Sequence, residues 1–227
     1  MAGMVVTLWV VLPYVAVVSC VIGHVWRYRL DGFLGCLYGP HVDLAQRFGI
    51  RALRVGMPTV AAMRVVEMVV SGPHSRPGPG IRIVLEATQL VAVPLTIIGA
   101  VLVLIPPLIA ADGRARVTPL DRMTMPLLVA ALVSAVLVTF DANSSDVHYR
   151  TAETLFTWAR SLVTLHPDPQ VMRHAPLIYQ ARGLVLVLII AVWPYTRLAG
   201  VLAVPALRVL RQFENGSAER YPSAPIV

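Results

Sequence analysis

Leu177–Val204 reads LIYQARGLVLVLIIAVWPYTRLAGVLAV, a stretch whose only charges are Arg182 and Arg197. Crossing a hydrocarbon core of about 30 Å takes roughly 20 predominantly apolar residues in a helix, so this stretch is long enough to span a bilayer. Tyr179 flanks it at one end, and Trp193 and Tyr195 at the other. Working outward, four more runs have comparable length. Val5–Trp26 contains Pro13, and Ile83–Ala111 is broken near its end by Pro106 and Pro107. Met123–Phe140 is short. Ile50–Val70 is the weakest, because Arg51, Arg54, Arg64 and Glu67 interrupt it. Prolines are tolerated in such helices because neighbouring helices and local adjustments satisfy the freed carbonyls.

Composition agrees with this reading. Of 227 residues, 57% are hydrophobic and 14% charged, with a mean hydropathy of +0.71. Soluble domains carry roughly a quarter charged residues, and disordered chains need still more charge. Two cysteines, Cys20 and Cys36, cannot staple a secreted mini-protein. All 19 basic residues are arginine. They lie dispersed between apolar runs and form no basic stripe interleaved with aromatics, so nucleic acid is not a partner. The partner is the lipid bilayer.

Arginine placement sets the expected orientation. Arg27, Arg29, Arg47, Arg51 and Arg54 follow the first span, Arg114, Arg116 and Arg122 lie between the third and fourth, and Arg208, Arg211 and Arg220 lie in the tail. The other connections hold only Arg76, Arg82, Arg150, Arg160 and Arg173. The expected fold is an all-α membrane protein, a five-transmembrane-helix bundle with its N-terminus out and its C-terminus cytoplasmic. The transmembrane domain covers 1–212, with spans at 5–26, 50–70, 83–111, 123–140 and 177–204, an outer loop at 141–176, and a flexible cytoplasmic tail at 213–227. No positive charge precedes the first apolar run, and Arg27 and Arg29 follow it, so it reads as an uncleaved helix rather than a signal peptide.

Within the outer loop, Thr154–Leu165 (TLFTWARSLVTL) reads as an amphipathic helix on the membrane surface, with Trp158 near the interface. His166-Pro167-Asp168-Pro169 stops it. Asn143-Ser144-Ser145 is a formal glycosylation sequon. Motifs of soluble enzymes are absent: there is no GK[ST] loop, CxxC, HExxH or GxSxG. The histidines His24, His41, His74, His148, His166 and His174 show no metal-ligand spacing.

His166–Pro205 joins HPDP, APLIYQ and a long apolar helix to WPYTRL and a nearby proline. This stretch resembles the fifth-helix region of the gamma subunit of respiratory nitrate reductase. Gly23–Asp31 (GHVWRYRLD) resembles that family's first-helix exit, and Arg54–Met68, with Gly56, its second helix. The resemblance implies a multi-pass subunit of the bacterial cytoplasmic membrane. In that family four histidines on the second and fifth helices bind two haems b, which carry electrons from quinol to cytoplasmic iron–sulfur and molybdenum subunits.

This sequence departs from that pattern. The second-helix ligand positions fall on Arg54 and Arg64, and the fifth-helix positions on Arg182 and Gly200. Haem iron needs a lone pair from imidazole, thioether, thiolate or phenolate. Arginine stays protonated with none to give, and glycine has no side chain. No cofactor is therefore expected, no catalytic residue is assigned, and no quinone-binding residue can be placed. The first expectation is a haem-less relative that serves as membrane anchor or assembly partner, docking cytoplasmic subunits through Arg27–Asp31 and the tail Arg208–Arg211. A second is a quinol-oxidising haem b subunit with displaced ligands, His24 facing Met57, with Met63 on the same helix. A third, an anion or lipid carrier, would use a cluster of Arg64, Glu67, Glu86 and Arg182. Intramembrane charges usually mark function. Against that, Arg64 lies roughly 9 Å from the end of its span at helical rise, near enough to snorkel, with the carboxylates as counter-ions.

Overall fold

The computed structural model describes residues 2–31, 44–72, 75, 77–109, 119–144, 150–196 and 198–201, and these are almost entirely helical. No strand forms among them beyond an isolated bridge between Gly72 and Ser75. The first rod consists of α1 (Ala2–Val6), a π-helical turn (Thr7–Val11) and α2 (Leu12–Asp31). The widened turn lies just before Pro13, which has no N–H for the carbonyl four residues back and crowds that turn. Next come α3 (Leu44–Val70), α4 (Pro79–Ile109) and α5 (Pro119–Ser144). A second π-helical turn (Ala152–Phe156) leads into α6 (Thr157–Val163), then α7 (Pro169–Arg173) and α8 (Leu177–Val192).

Four of these helices are long and apolar enough to cross a membrane, over Met4–Arg29, Pro79–Ile105, Met123–Asp141 and Leu177–Tyr195. Their outward faces carry exposed Val18, Ile22, Leu90 and Val133, apolar surface that lipid tails cover favourably. The chain is a multi-pass membrane protein. At 27 residues α3 has membrane-spanning length, but Arg47, Arg51, Arg54, Arg64 and Glu67 keep it from qualifying on apolarity.

The stretch expected as one span over 177–204 is not one helix. It turns through a 3-10 segment at Trp193–Tyr195, reaches Thr196 in extended conformation, and is helical again at 198–201. Pro194 supplies no N–H to the carbonyl four residues back. Trp193 itself keeps helical dihedrals, and the chain leaves the helix only at Thr196.

Helix α3 pairs with α4, while α8 packs against both α2 and α5. The α3–α4 pair is close because glycines face each other's backbones: a Cβ on Gly99 would stand 2.7 Å from the Leu53 nitrogen, and one on Gly56 2.9 Å from the Thr96 nitrogen. Small residues let membrane helices approach in this way. Two apolar cores result. One gathers Trp9, Val138, Leu155, Trp158, Tyr179 and Val187, and the other gathers Ile50, Leu53, Val103, Leu104, Leu198 and Val201.

The 154–165 segment is helical, but it does not turn Trp158 to an interface. Trp158 is buried in the first core, its ring edge-on to Trp9 at 5.8 Å and 89°. Its Nε1–H donates to the Trp9 carbonyl at 2.9 Å. That is the carbonyl for which Pro13, four residues on, has no N–H. Helix α6 ends where Leu165 takes φ 59°, with Leu165 and His166 N–H groups bonding back to the Leu162 and Ser161 carbonyls, a left-handed C-terminal cap. Helix α7 then starts with Asp168 accepting from the Gln170 N–H at 2.9 Å and Pro169 in the first turn. The tail 213–227, the connection 110–118, Cys36, the sequon's side chains, His41, His74, His148, and Arg76, Arg114, Arg116, Arg208, Arg211 and Arg220 lie outside the described residues.

Candidate functional site

A cavity of about 710 Å³ opens where the α3–α4 pair meets α5, α6 and α8. Helical spacing explains what faces it. On α3, Arg64 and Glu67 stand three residues apart and so share a face, joined by a 2.7 Å ion pair with Glu67 buried. On α4, Arg82 and Glu86 form an exposed 2.7 Å pair four residues apart. Arg182 projects from α8, and its Nη1 donates to the Ala131 carbonyl and, at 3.1 Å, to Ser134 Oγ on α5. Arg64, Glu67, Glu86 and Arg182 thus line one cavity. Leu85, Val138, Leu155, Phe156 and Leu186 give it apolar walls.

The remaining two positions meet at the other end of the bundle. Arg54 on α3 sends its Nε–H to the Val201 carbonyl at 2.9 Å, beside the buried Gly200. Arg27 on α2 donates to the carbonyls of Pro194 at 2.8 Å and Thr196, filling acceptors that the break after α8 leaves without helical donors. The guanidinium of Arg27 is therefore engaged inside the bundle. The side chains of Leu30 and Asp31 lie outside the described residues.

These residues do not fit a pair of haems b. Three of the four positions present protonated guanidiniums hydrogen-bonded to neighbouring protein groups, and the fourth presents no side chain. His24 points its Nδ1–H at the Cys20 carbonyl of its own helix, at 2.8 Å. Met57 packs with Ala100, Met125, Leu128 and Trp193 against the second core.

Several structural contacts escaped the sequence reading. Arg160 on α6 donates to the carbonyls of Met68 and Ser71, capping the C-terminal end of α3. Tyr179 donates its hydroxyl to Asp141 at 2.9 Å, tying α8 to α5. Nothing in the periodicity marks Arg160. For Trp158 a signal existed: Pro13 leaves the Trp9 carbonyl short of its helical donor.

The helical bundle and its long apolar helices define a multi-pass membrane protein. A sequence profile of the nitrate reductase gamma subunit family matches residues 47–215, and the chain belongs to that family. It is 26% identical over 213 residues to the nitrate reductase gamma chain of Bacillus subtilis (strain 168), covering 91% of this chain and 95% of that one. It is 28% identical over 227 residues to the nitrate reductase-like protein NarX of Mycobacterium tuberculosis, in strains H37Rv and CDC 1551 / Oshkosh, covering 90% of this chain. The chain spans about a third (32%) of the length of those NarX proteins.

Proposed function

We propose that this chain is a haem-less membrane subunit of a nitrate reductase-like respiratory complex, acting as anchor or assembly partner for cytoplasmic iron–sulfur and molybdenum subunits. The observation that carries the reading is the fate of the four ligand positions. Arg54 and Arg182 hydrogen-bond across to neighbouring segments, Arg64 is paired with Glu67, and Gly200 offers nothing to bind a metal. The fold is that of an electron-carrying subunit, and the lone pairs that would hold the carriers are gone.

The proposal includes a five-span topology with the N-terminus outside and the C-terminus in the cytoplasm, with α3 as the second crossing. Its 27 residues reach about 40 Å at 1.5 Å per residue. Its charges are costly in lipid, but Arg54 and Arg64 both have partners in the protein, and Gly49, Ile50, Ala52, Leu53 and Gly56 are buried.

The test is purification of the full chain in mild detergent, followed by a reduced visible spectrum and identification of co-purifying subunits. A colourless protein that brings down cytoplasmic subunits is the expected result. A b-type absorption band at stoichiometric haem would overturn the haem-less reading and leave the quinol-oxidising alternative in its place.

A further inference from the structure

The charges around the 710 Å³ cavity do not balance. Arg64, Arg82 and Arg182 face it against Glu67 and Glu86, leaving one cation in excess among the described lining residues. Each carboxylate is engaged by an arginine of its own helix. Arg182 is the cation left over: no carboxylate comes within ion-pair distance of it among the described residues. Its Nη1 makes both of its hydrogen bonds, to Ala131 and Ser134. The Nε–H and the Nη2 protons therefore have no acceptor among the described residues. Arg64, paired with Glu67, lines the same cavity and faces the space beside Arg182.

A guanidinium offers a planar fork that matches carboxylate and phosphate oxygens. A charged side chain facing the interior of a membrane bundle ordinarily pairs with something. We infer that the cavity binds an anion, a phosphate or carboxylate group whose oxygens pair with Arg182 and face Arg64. The cavity is far larger than such a group. Its volume is that of a small-molecule site, roughly 300–1,000 Å³, and its apolar walls at Leu85, Val138, Leu155, Phe156 and Leu186 suit the hydrocarbon part of an amphiphile. The anion completes the fold's charge balance and is held there, whatever the chain's haem content.

The same chemistry arrives either on a lipid headgroup or as a soluble anion, and one experiment separates the two. The full chain is purified in dodecyl maltoside and titrated with phosphatidylglycerol, with zwitterionic phosphatidylcholine, and with inorganic phosphate. Bound ligand is counted by native mass spectrometry. Tight binding of one phosphatidylglycerol per chain, at least about tenfold tighter than phosphatidylcholine, identifies the headgroup as the source. Saturable binding of inorganic phosphate by itself identifies a soluble anion. In either case Arg182→Gln lowers affinity about tenfold, while Arg150→Gln, an exposed arginine outside the cavity, leaves it unchanged. Ala135→Phe narrows the cavity without altering any charge and weakens binding of the amphiphile, which covers the case in which the Arg182 variant does not fold. Wild-type protein that holds neither probe above the phosphatidylcholine level, or an Arg182 variant that binds like wild type, overturns the inference.

Discussion

At the scale of single residues, this bundle solves the same problem repeatedly: a backbone carbonyl left without its helical N–H, in surroundings where water cannot supply one. Arginine answers it at the break after α8 (Arg27) and at the C-terminal end of α3 (Arg160). Trp158 answers it at Trp9. The indole N–H fits because Trp158 is a single donor with no acceptor to leave unsatisfied, and its ring also fills the first core. Trp158→Phe keeps most of the packing and removes the donor, so the Trp9 carbonyl is orphaned in a buried site. The expected loss is about 1–3 kcal/mol, read as a lower thermal unfolding midpoint in detergent. Adding Pro13→Ala to that variant gives Trp9 its helical N–H back, and part of the loss is recovered. If the double variant is no more stable than Trp158→Phe alone, the orphaned carbonyl is not the cause.

At the scale of elements, the α3–α4 pair shows how a helix too charged to look like a membrane span is kept in the bundle. Its stability rests on backbone proximity as much as on side chains. With a Cβ at Gly99 already 2.7 Å from the Leu53 nitrogen and 2.9 Å from the Gly49 carbonyl oxygen, Gly99→Leu forces the helices apart along backbone that cannot yield. Overpacking of this kind costs roughly 1–3 kcal/mol or more. A larger residue at Gly80, where a Cβ meets nothing within 4 Å, costs far less. Unfolding midpoints of Gly99→Leu and Gly80→Leu in the same detergent provide the check, and equal midpoints would rule out the close-approach account. The apolar runs around Pro13, in α4, in α5 and in α8 were legible from hydropathy because lipid contact selects for composition alone. Helix α3 was legible only as the weakest of the apolar runs, since its arginines and Glu67 interrupt it. The inward face of α6 was not legible, because amphipathicity fixes which face is apolar and not whether that face meets lipid or protein. The break at Trp193–Tyr195 was hidden by its own apolar character. Pro194 was visible, but prolines also sit within continuous helices here, as Pro58 does in α3.

At the scale of the whole molecule, side-chain hydrogen bonds tie the helices to one another. Arg182 ties α8 to α5, Tyr179 does the same through Asp141, Arg54 ties α3 to the segment after the α8 break, and Arg160 ties α6 to the end of α3. A cofactor that binds only the folded state adds stability by mass action, about 2.7 kcal/mol when it is present at a hundredfold its dissociation constant. A bundle built around haem therefore loses that increment in haem-starved cells, and accumulates less. On the proposed haem-less reading, this chain, with its links supplied by arginine and tyrosine, has no such increment to lose. Expression in a haem-synthesis mutant, with and without added haem precursor, is expected to give the same membrane-inserted yield and the same unfolding midpoint. Adding hemin to the purified protein is expected to leave that midpoint where it is. A yield that falls without haem, or a midpoint that rises with hemin in a saturable way, would mean that the arginine links do not replace the cofactor and that ligands elsewhere in the chain hold it.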